Sequence, residues 1–525
     1  MSTPVKPPTK KSKKQPVEAV ISAPPTGDAP DQDGRAPEDL VNRMGSAHGF
    51  GTPHQHARGH GREQRGLAYL PGSQLFEGRF GRMFRLNPYV PSEGRIREIA
   101  QMMTDSAPGD AAKDNPDIPA GYTYLGQFID HDLTFDPVSN LTRQTDPDAL
   151  TTFRSPAFDL DNVYGRGPSD DAFMYDNAPG RAGYLLIGRH DDEDDLPRNV
   201  QDTAIIGDPR NDENTFVSQL QLTMLKFHNA VMDMVLADPR MQHGSETVFE
   251  AAQRTVRWHY QWLVVHDFLK RTVGQALLSD VLDETGAVPR LRLEHYEAKS
   301  GKAFMPVEFS VAAYRFGHSQ VRGRYKLNTT VPALPIFTKA TTPGEDLRLK
   351  HFVGFRILPP FWTIEWNRFF DIDGPGGVQP QVTRAIDTAV VPPMIDLPPE
   401  IAADPSSIVM RNLTRGARLG LPSGRAVARK MGITPIGDEL GLPGGGPAPL
   451  WFYILKEAEL LAGGRHLGPV GGRIVAEVFL GLLALDPTSY LRNDPAWRPT
   501  LPAATSGEFT MVDLLNIAGH GLGTT

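Results

Sequence analysis

Between Gly121 and Phe135 the chain reads Gly-Tyr-Thr-Tyr-Leu-Gly-Gln-Phe-Ile-Asp-His-Asp-Leu-Thr-Phe. On a helix, Gln127, Asp130, His131 and Thr134 fall at i, i+3, i+4 and i+7 and share one face. Leu125, Ile129 and Leu133 form an apolar stripe on another. A histidine set among amide, carboxyl and hydroxyl groups in a cavity wall can take up and return a proton. The plainer alternative is a solvated helix face. Asp132 lies about 100° further round than His131 and must do something else. Gly207-Asp-Pro-Arg-Asn-Asp-Glu-Asn214 leads into an apolar run, and Asp212 and Asn214 suit the cap of a helix there. Arg210 and Glu213, a cation and a carboxylate three residues apart, sit in the same segment. Ala312-Ala-Tyr-Arg-Phe-Gly-His318-Ser and Asn412-Leu-Thr-Arg-Gly-Ala-Arg-Leu-Gly-Leu-Pro422 each read alone as an ordinary helix or turn.

Helices must position these groups. From about Leu67 onward helical patterns dominate. The clearest runs from Thr215 to Ala237, with Phe216, Leu220, Met224, Phe227, Val231 and Met234 at helical spacing. Others cover Gly121 to Phe135, Glu250 to Val273, Leu450 to Leu461 and Gly472 to Leu485. Alternating strand patterns are few. Loops rich in Gly and Pro, such as Asp373 to Val378 and Leu442 to Pro449, separate the helices. The acidic run Asp191 to Asp195 reads as a solvated loop. Ile474 to Leu485 is strongly apolar, but it contains Glu477 and is too short to span a bilayer, so it reads as a buried helix.

Bulk properties narrow the function. With 525 residues, 40% hydrophobic and 22% charged, the chain is an ordinary globular one. A formal net charge of -8 argues against nucleic-acid or anionic-membrane partners, which favour basic surfaces. The absence of cysteine removes disulfides, thiolate metal sites and cysteine nucleophiles. The N-terminus carries charge without an apolar core, so no Sec signal peptide is expected; a cytoplasmic or non-classically exported protein fits. Residues 1–65 are rich in Pro, Gly, Lys and His and read as a disordered tail. His48, His54, His56 and His60 lie there; a metal-binding tail is one reading and a solvated low-complexity tail the favoured one. There is no internal repeat, P-loop or dinucleotide fingerprint.

The segment Gly126-Gln-Phe-Ile-Asp-His-Asp-Leu-Thr-Phe135 resembles the distal motif of animal-type haem peroxidases, the peroxidase–cyclooxygenase superfamily, in a bacterial branch. The resemblance spans roughly residues 67–520, with motifs in the family's chain order from Gly126 to Pro422. It implies a mainly α fold, with a large helical haem peroxidase domain over 66–525, few short strands, and haem between central helices. His131 is then the distal base, Gln127 a partner in the distal water or halide site, and Arg210 the cation that supports O–O cleavage. Asp130 and Glu213 match carboxylates that ester-link the haem. His318 matches the iron ligand, with Gly317 allowing close approach, Asn412 accepting the imidazole N–H, Arg315 near the haem propionates, and Arg415 a propionate or structural partner. Ser155, Ala157, Asp159 and Asp161, in a segment resembling the family's calcium loop, join Asp132 as calcium ligands. Asn214 stands where myeloperoxidase has a methionine bonded to a haem vinyl, so no sulfonium link is expected. His228 reads as a structural core histidine, because the ligand motif lies elsewhere.

The implied activity is oxidation of small donors by hydrogen peroxide. The donors are halides and pseudohalides such as iodide, bromide or thiocyanate, and phenolic or aromatic compounds. The implied cofactors are haem b and Ca2+, in a monomer. Two alternatives stand beside it. A fatty-acid dioxygenase of the superfamily places a radical-forming tyrosine three residues before the proximal histidine, where this chain has Arg315 and keeps Tyr314 one place further away. A haem-free structural or adhesive descendant should have lost one of His131, Arg210 and His318, and all three are present.

Overall fold

The structure is a computed structural model that describes residues 80–134 and 155–520, apart from 192, 299–300, 343–344, 400 and 403. The expected tail with its four histidines, and Phe135, lie outside the described residues. Within them, helices carry the architecture and the strands form two-stranded ribbons only. The mainly α reading is therefore correct. No helix among the described residues is long and apolar enough to cross a membrane.

The helices that matter for the site are α1 (Glu93–Met102), α2 (Gly121–Leu133), α3 (Thr215–Ala237), α4 (Val248–Leu263), α5 (Ile408–Arg418), α6 (Leu450–Ala462) and α7 (Pro469–Leu485). Their starts follow from local chemistry. The Asn214 side chain accepts from Val217 N and caps α3. Thr247 and Glu250 form a reciprocal capping box on α4. Ser407 accepts from Met410 N at the start of α5.

Helix α2 has no side-chain cap. Its first turn is tied instead to the 369–381 segment, through Gly121 N to Phe369 O at 2.9 Å and Ala120 N to Gln381 O at 2.7 Å. Residue 121 must be glycine for that contact. A Cβ there would press into the Phe370 ring and stand 2.7 Å from the Phe369 carbonyl oxygen.

The central helix α3 is buried on nearly every side, with Phe216, Val217, Phe227 and Val231 fully enclosed. Burying each such side chain is worth about 1.5–3 kcal/mol before entropy is subtracted. α3 packs against both α2 and α4. α4 does not stop at Leu263. It runs into a π-helical turn, Val264–Leu269, and a last turn, Lys270–Val273, so the expected span to Val273 is one continuous helix with a bulge. The bulge lets Asp267 accept from Tyr122 Oη at 2.7 Å and Met511 N at 3.0 Å.

α7 buries Glu477 within its apolar face, where the carboxylate accepts from His295 N and Tyr296 N. That bonding explains how a carboxylate survives in the buried helix expected here.

One expectation fails. The acidic run is not a solvated loop: Gly188–His190 and Glu193–Asp195 pair as an antiparallel hairpin. Asp195 is buried, bonded to Arg198 and to the backbone nitrogens of Leu196 and Leu358. A sequence of acids signals solvent only when no cation and no backbone donors fold over it.

Candidate active site

A cavity of about 380 Å³ opens between α2, the 209–214 segment, the short turns Ala313–Phe316 and Gly317–Gln320, and α5. Its wall includes Gln127, Asp130, His131 and Thr134 from the polar face of α2, together with Arg210 and Glu213. Arg315, Gly317 and His318 come from the short turns, and Asn412 and Arg415 from α5. Segments separated by almost three hundred positions thus meet in one place, and the α2 stripe faces a cavity rather than open solvent. At Gly317 a Cβ would meet no protein atom within 4 Å.

His131 is buried, and its Nδ1 stands 2.6 Å from Asn211 Oδ1. Burial pushes its pKa down to about 4, with Arg210 adding to the effect against Asp208, Asp130 and the Asn211 bond. The ring is therefore neutral near pH 7. Arg210 is locked in place: its Nε and Nη2 bind the fully buried Asp208, and Nη2 also donates to the carbonyls of His131 at 3.1 Å and Thr134 at 2.7 Å. The arginine closes the C-terminal end of α2 while facing the cavity.

Gln127 is held from both sides. Its amide nitrogen donates to the Glu213 carboxyl, and its oxygen accepts from Asn214 Nδ2 at 3.1 Å. Burial raises the Glu213 carboxyl to about 7, against the lowering effects of Arg210 and Gln127. Asp130 accepts from Thr134 Oγ1 at 3.1 Å.

On the opposite wall, His318 Nδ1 lies 2.8 Å from Asn412 Nδ2. Burial lowers the His318 pKa to about 3, with Arg315 contributing. His318 and Glu213 are half-buried, and both line the cavity. Arg315 donates from Nε to Ser310 O at 2.8 Å. Tyr314 lines the cavity, donates to Gly126 O at 3.2 Å and stacks on Phe309.

Asp132 points away from this cavity, as its position on the helix requires. Its carboxylate, with those of Asp159 and Asp161, forms a buried group whose oxygens lie within 4.8 Å of one another. A left-handed turn at Leu160 (φ 58°, ψ 38°) bends the chain between the two loop aspartates. Ser155 Oγ donates to Asp159 at 2.7 Å, and Ala157 N binds Ser155 O within the same loop.

His228 lies elsewhere, buried between Tyr164 and Gly183 O. It lines no part of the cavity. Several residues of the site escaped the sequence reading: Asn211 beside His131, Asp208 behind Arg210, and Arg411 next to Asn412. Only Arg411 had a usable signal, since it shares a helical turn with Asn412 and Arg415.

Residues 142–351 match the animal haem peroxidase family model. No curated protein matches the chain. Among solved structures, peroxidase A from Dictyostelium discoideum superposes with a TM-score of 0.59 at 16% identity, covering 79% of this chain and 89% of that one. Fatty acid alpha-dioxygenase from Oryza sativa gives 0.53 at 15% identity, over 83% of this chain and 78% of that one. The Arabidopsis thaliana fatty acid alpha-dioxygenase gives 0.51 at 14%, over 83% and 75%. At such identities the neighbours speak for the fold, and they include both peroxidase and dioxygenase. Together with the family match over residues 142–351, they show that the chain has a fold shared by haem peroxidases and fatty acid alpha-dioxygenases, without singling out either activity.

Proposed function

We propose that the chain is a haem peroxidase that uses hydrogen peroxide to oxidise small donors, namely halides or pseudohalides such as iodide, bromide or thiocyanate, and phenolic or aromatic compounds. One observation carries the reading. Two neutral histidines, His131 and His318, line the same cavity, and each has its Nδ1 engaged by an asparagine on the protein side. Each Nδ1 edge is thus held by protein, which leaves the Nε2 edge for the cavity; at His131 that nitrogen bears the lone pair, whereas His318 would bear one there once the Asn412 amide turned its oxygen to the ring.

The family implies haem, and the wall fits one. Apolar side chains such as Phe80, Phe268, Val307 and Ile336 suit a flat macrocycle, and Arg315, Arg411 and Arg415 supply cations for its two carboxylates. His318 would bind the iron. Asp130 and Glu213 both reach the cavity and are the carboxylates that could ester-link the macrocycle. Bound haem would supply the redox chemistry, accepting the peroxide oxygen and later the donor's electrons.

The protein's own groups do the rest. His131 takes a proton from the nearer peroxide oxygen and returns it to the farther one as water leaves. Arg210, fixed by Asp208 and two carbonyls, presents a cation that needs no reorganisation as negative charge develops. Gln127, held by Glu213 and Asn214, orders the water or halide beside His131.

The Asp132, Asp159 and Asp161 group fits a Ca2+ ion, completed by Ser155 and the Ala157 carbonyl. Three carboxylates so close in the interior repel one another strongly unless cationic charge joins them. The ion would tie the loop to the back of α2 and hold the polar face steady.

A second reading, a fatty-acid dioxygenase, draws on one observation: the Tyr314 phenol lines the cavity. Its position four residues before His318 and its bond to Gly126 O favour a structural role. Oxygen uptake with linoleate would discriminate the two.

The test is rapid-scan absorption of haem-loaded protein mixed with hydrogen peroxide. A ferric Soret band that bleaches and then recovers on adding iodide or thiocyanate supports the peroxidase. A protein that takes up no haem, or whose band ignores peroxide, overturns it.

A further inference from the structure

Behind His131 a file of buried amides runs to the backbone of the loop that holds Asp161. The far end settles the rest. The Asn162 carbonyl oxygen can only accept, and Gln221 Nε2 donates to it at 3.1 Å. The Gln221 amide is therefore fixed with its oxygen toward Asn211. Asn211 Nδ2 donates to that oxygen at 2.7 Å. The Asn211 amide is fixed in turn, with Oδ1 toward His131 at 2.6 Å. An amide oxygen can only accept, so His131 Nδ1 must carry the hydrogen and Nε2 the lone pair.

Tautomers and amide orientations are ordinarily ambiguous, because each amide can turn over. Here, turning Gln221 would set its oxygen against the Asn162 carbonyl, and turning Asn211 alone would set its oxygen against Gln221 Oε1. Asn162, Asn211 and Gln221 are all fully buried, so no water can repair such a mismatch. The relay is anchored again at Asn162, whose carbonyl also accepts from Gly207 N at 3.1 Å and whose Nδ2 reaches Phe128 O of α2 at 3.4 Å.

We propose that Asn211, oriented by Gln221, is the positioning residue that holds His131 in the Nδ1–H tautomer and so makes Nε2 the base at the cavity. The catalytic meaning of this tautomer rests on the peroxidase reading above; the tautomer itself does not. A histidine free to choose favours Nε2–H, which would present a hydrogen to peroxide where a lone pair is needed.

The test uses the full-length chain labelled with ring-15N histidine, with long-range proton–nitrogen spectra recorded on the haem-free protein and on the diamagnetic ferrous carbon monoxide form. His131 is identified by its loss in His131→Gln. Wild type should show a single Nδ1–H pattern. Asn211→Leu should lose it. Gln221→Met leaves the asparagine in place but frees it to turn, and should shift His131 towards Nε2–H. Adding Asn211→Asp to Gln221→Met should restore Nδ1–H, because a carboxylate accepts whichever way it turns.

That rescue is something packing alone would not produce. If Gln221→Met fails to fold, the comparison of Asn211→Leu with Asn211→Asp decides the matter. In the loaded enzyme, kcat/KM for peroxide in Asn211→Leu should fall on the order of 10²-fold while KM for the donor holds. Nε2–H in wild type, or an unchanged pattern in Asn211→Leu, overturns the proposal. Failure to bind haem would sink the peroxidase reading, while the haem-free spectra would still decide the relay.

Discussion

Asn412 Nδ2 stands 2.8 Å from His318 Nδ1 and joins α5 to the short helix Gly317–Gln320 across 94 positions of sequence. As placed, the amide presents its nitrogen. If His318 Nε2 ligates a haem iron, as proposed above, Nδ1 must carry a hydrogen, and the amide would then have to turn its oxygen to the ring. The basicity of the imidazole then depends on this one contact.

Replacing Asn412 should move the iron potential in opposite directions. Asn412→Asp offers a stronger acceptor, enriches the imidazole and stabilises ferric iron, lowering the potential. Asn412→Leu removes the acceptor and raises it. A shift on the order of 60 mV corresponds to a tenfold change for a one-electron couple. Spectroelectrochemical titration of the three proteins gives the answer, and equal potentials would remove Asn412 from any tuning role.

Asp130 and Glu213 both face the cavity, and the raised Glu213 carboxyl sits against Gln127. If both are ester-linked, haem should stay with wild-type protein in acidified organic solvent. The double variant Asp130→Val with Glu213→Gln should release it. Extraction of haem from the wild type would end the ester idea.

The buried carboxylates of Asp132, Asp159 and Asp161 predict a cost on removing calcium. An ion present at a hundred times its dissociation constant stabilises the fold by roughly 2.7 kcal/mol. Chelation with EGTA should lower Tm by several degrees, and added Ca2+ should restore it. The double variant Asp159→Asn with Asp161→Asn should show no response to EGTA. Scanning calorimetry measures this; a wild type indifferent to both EGTA and Ca2+ would leave the group without an ion.

How much of this was visible in the sequence depends on the range of the signal. Helix periodicity marked Thr215–Ala237 at both ends, because burial and the Asn214 cap act locally. The α2 stripe showed that Gln127, Asp130 and His131 share a face while Asp132 points elsewhere, since helix geometry alone fixes that. What the stripe faces was not legible: the opposite wall comes from His318 and Asn412, which only the tertiary fold brings across. The acidic hairpin was misread for the same reason, as Asp195 owes its burial to Arg198 and the distant Leu358 N. Asn211 gave no signal at all. Its role depends on Gln221 and Asn162, and nothing in their spacing distinguishes them from other polar residues near a helix start.

His259 shows a local acid sensitivity. Its Nδ1 donates to Thr255 O at 2.7 Å, and its Nε2 accepts from Thr500 N and Leu501 N, both at 3.0 Å. The ring packs edge-on to Trp497 and Phe509. Burial lowers its pKa to about 4 from the usual 6.5, with Arg254 adding to the effect, and the folded protein prefers the neutral ring. The sign follows from linkage. Between 6.5 and about 4 the unfolded chain binds the proton and the folded chain does not. The stability from a neutral His259 is therefore fully present above 6.5 and is lost as the pH falls through the folded value. Its slope is at most about 1.4 kcal/mol per pH unit. His259→Gln should unfold more readily at neutral pH and lose one proton's share of the slope in urea titrations across that window. In wild type, protonating Nε2 would expel two backbone donors, so the amides of Thr500 and Leu501 should gain hydrogen exchange below about pH 4 before α3 does. Equal slopes in the two proteins would show that His259 already carries its proton in the fold.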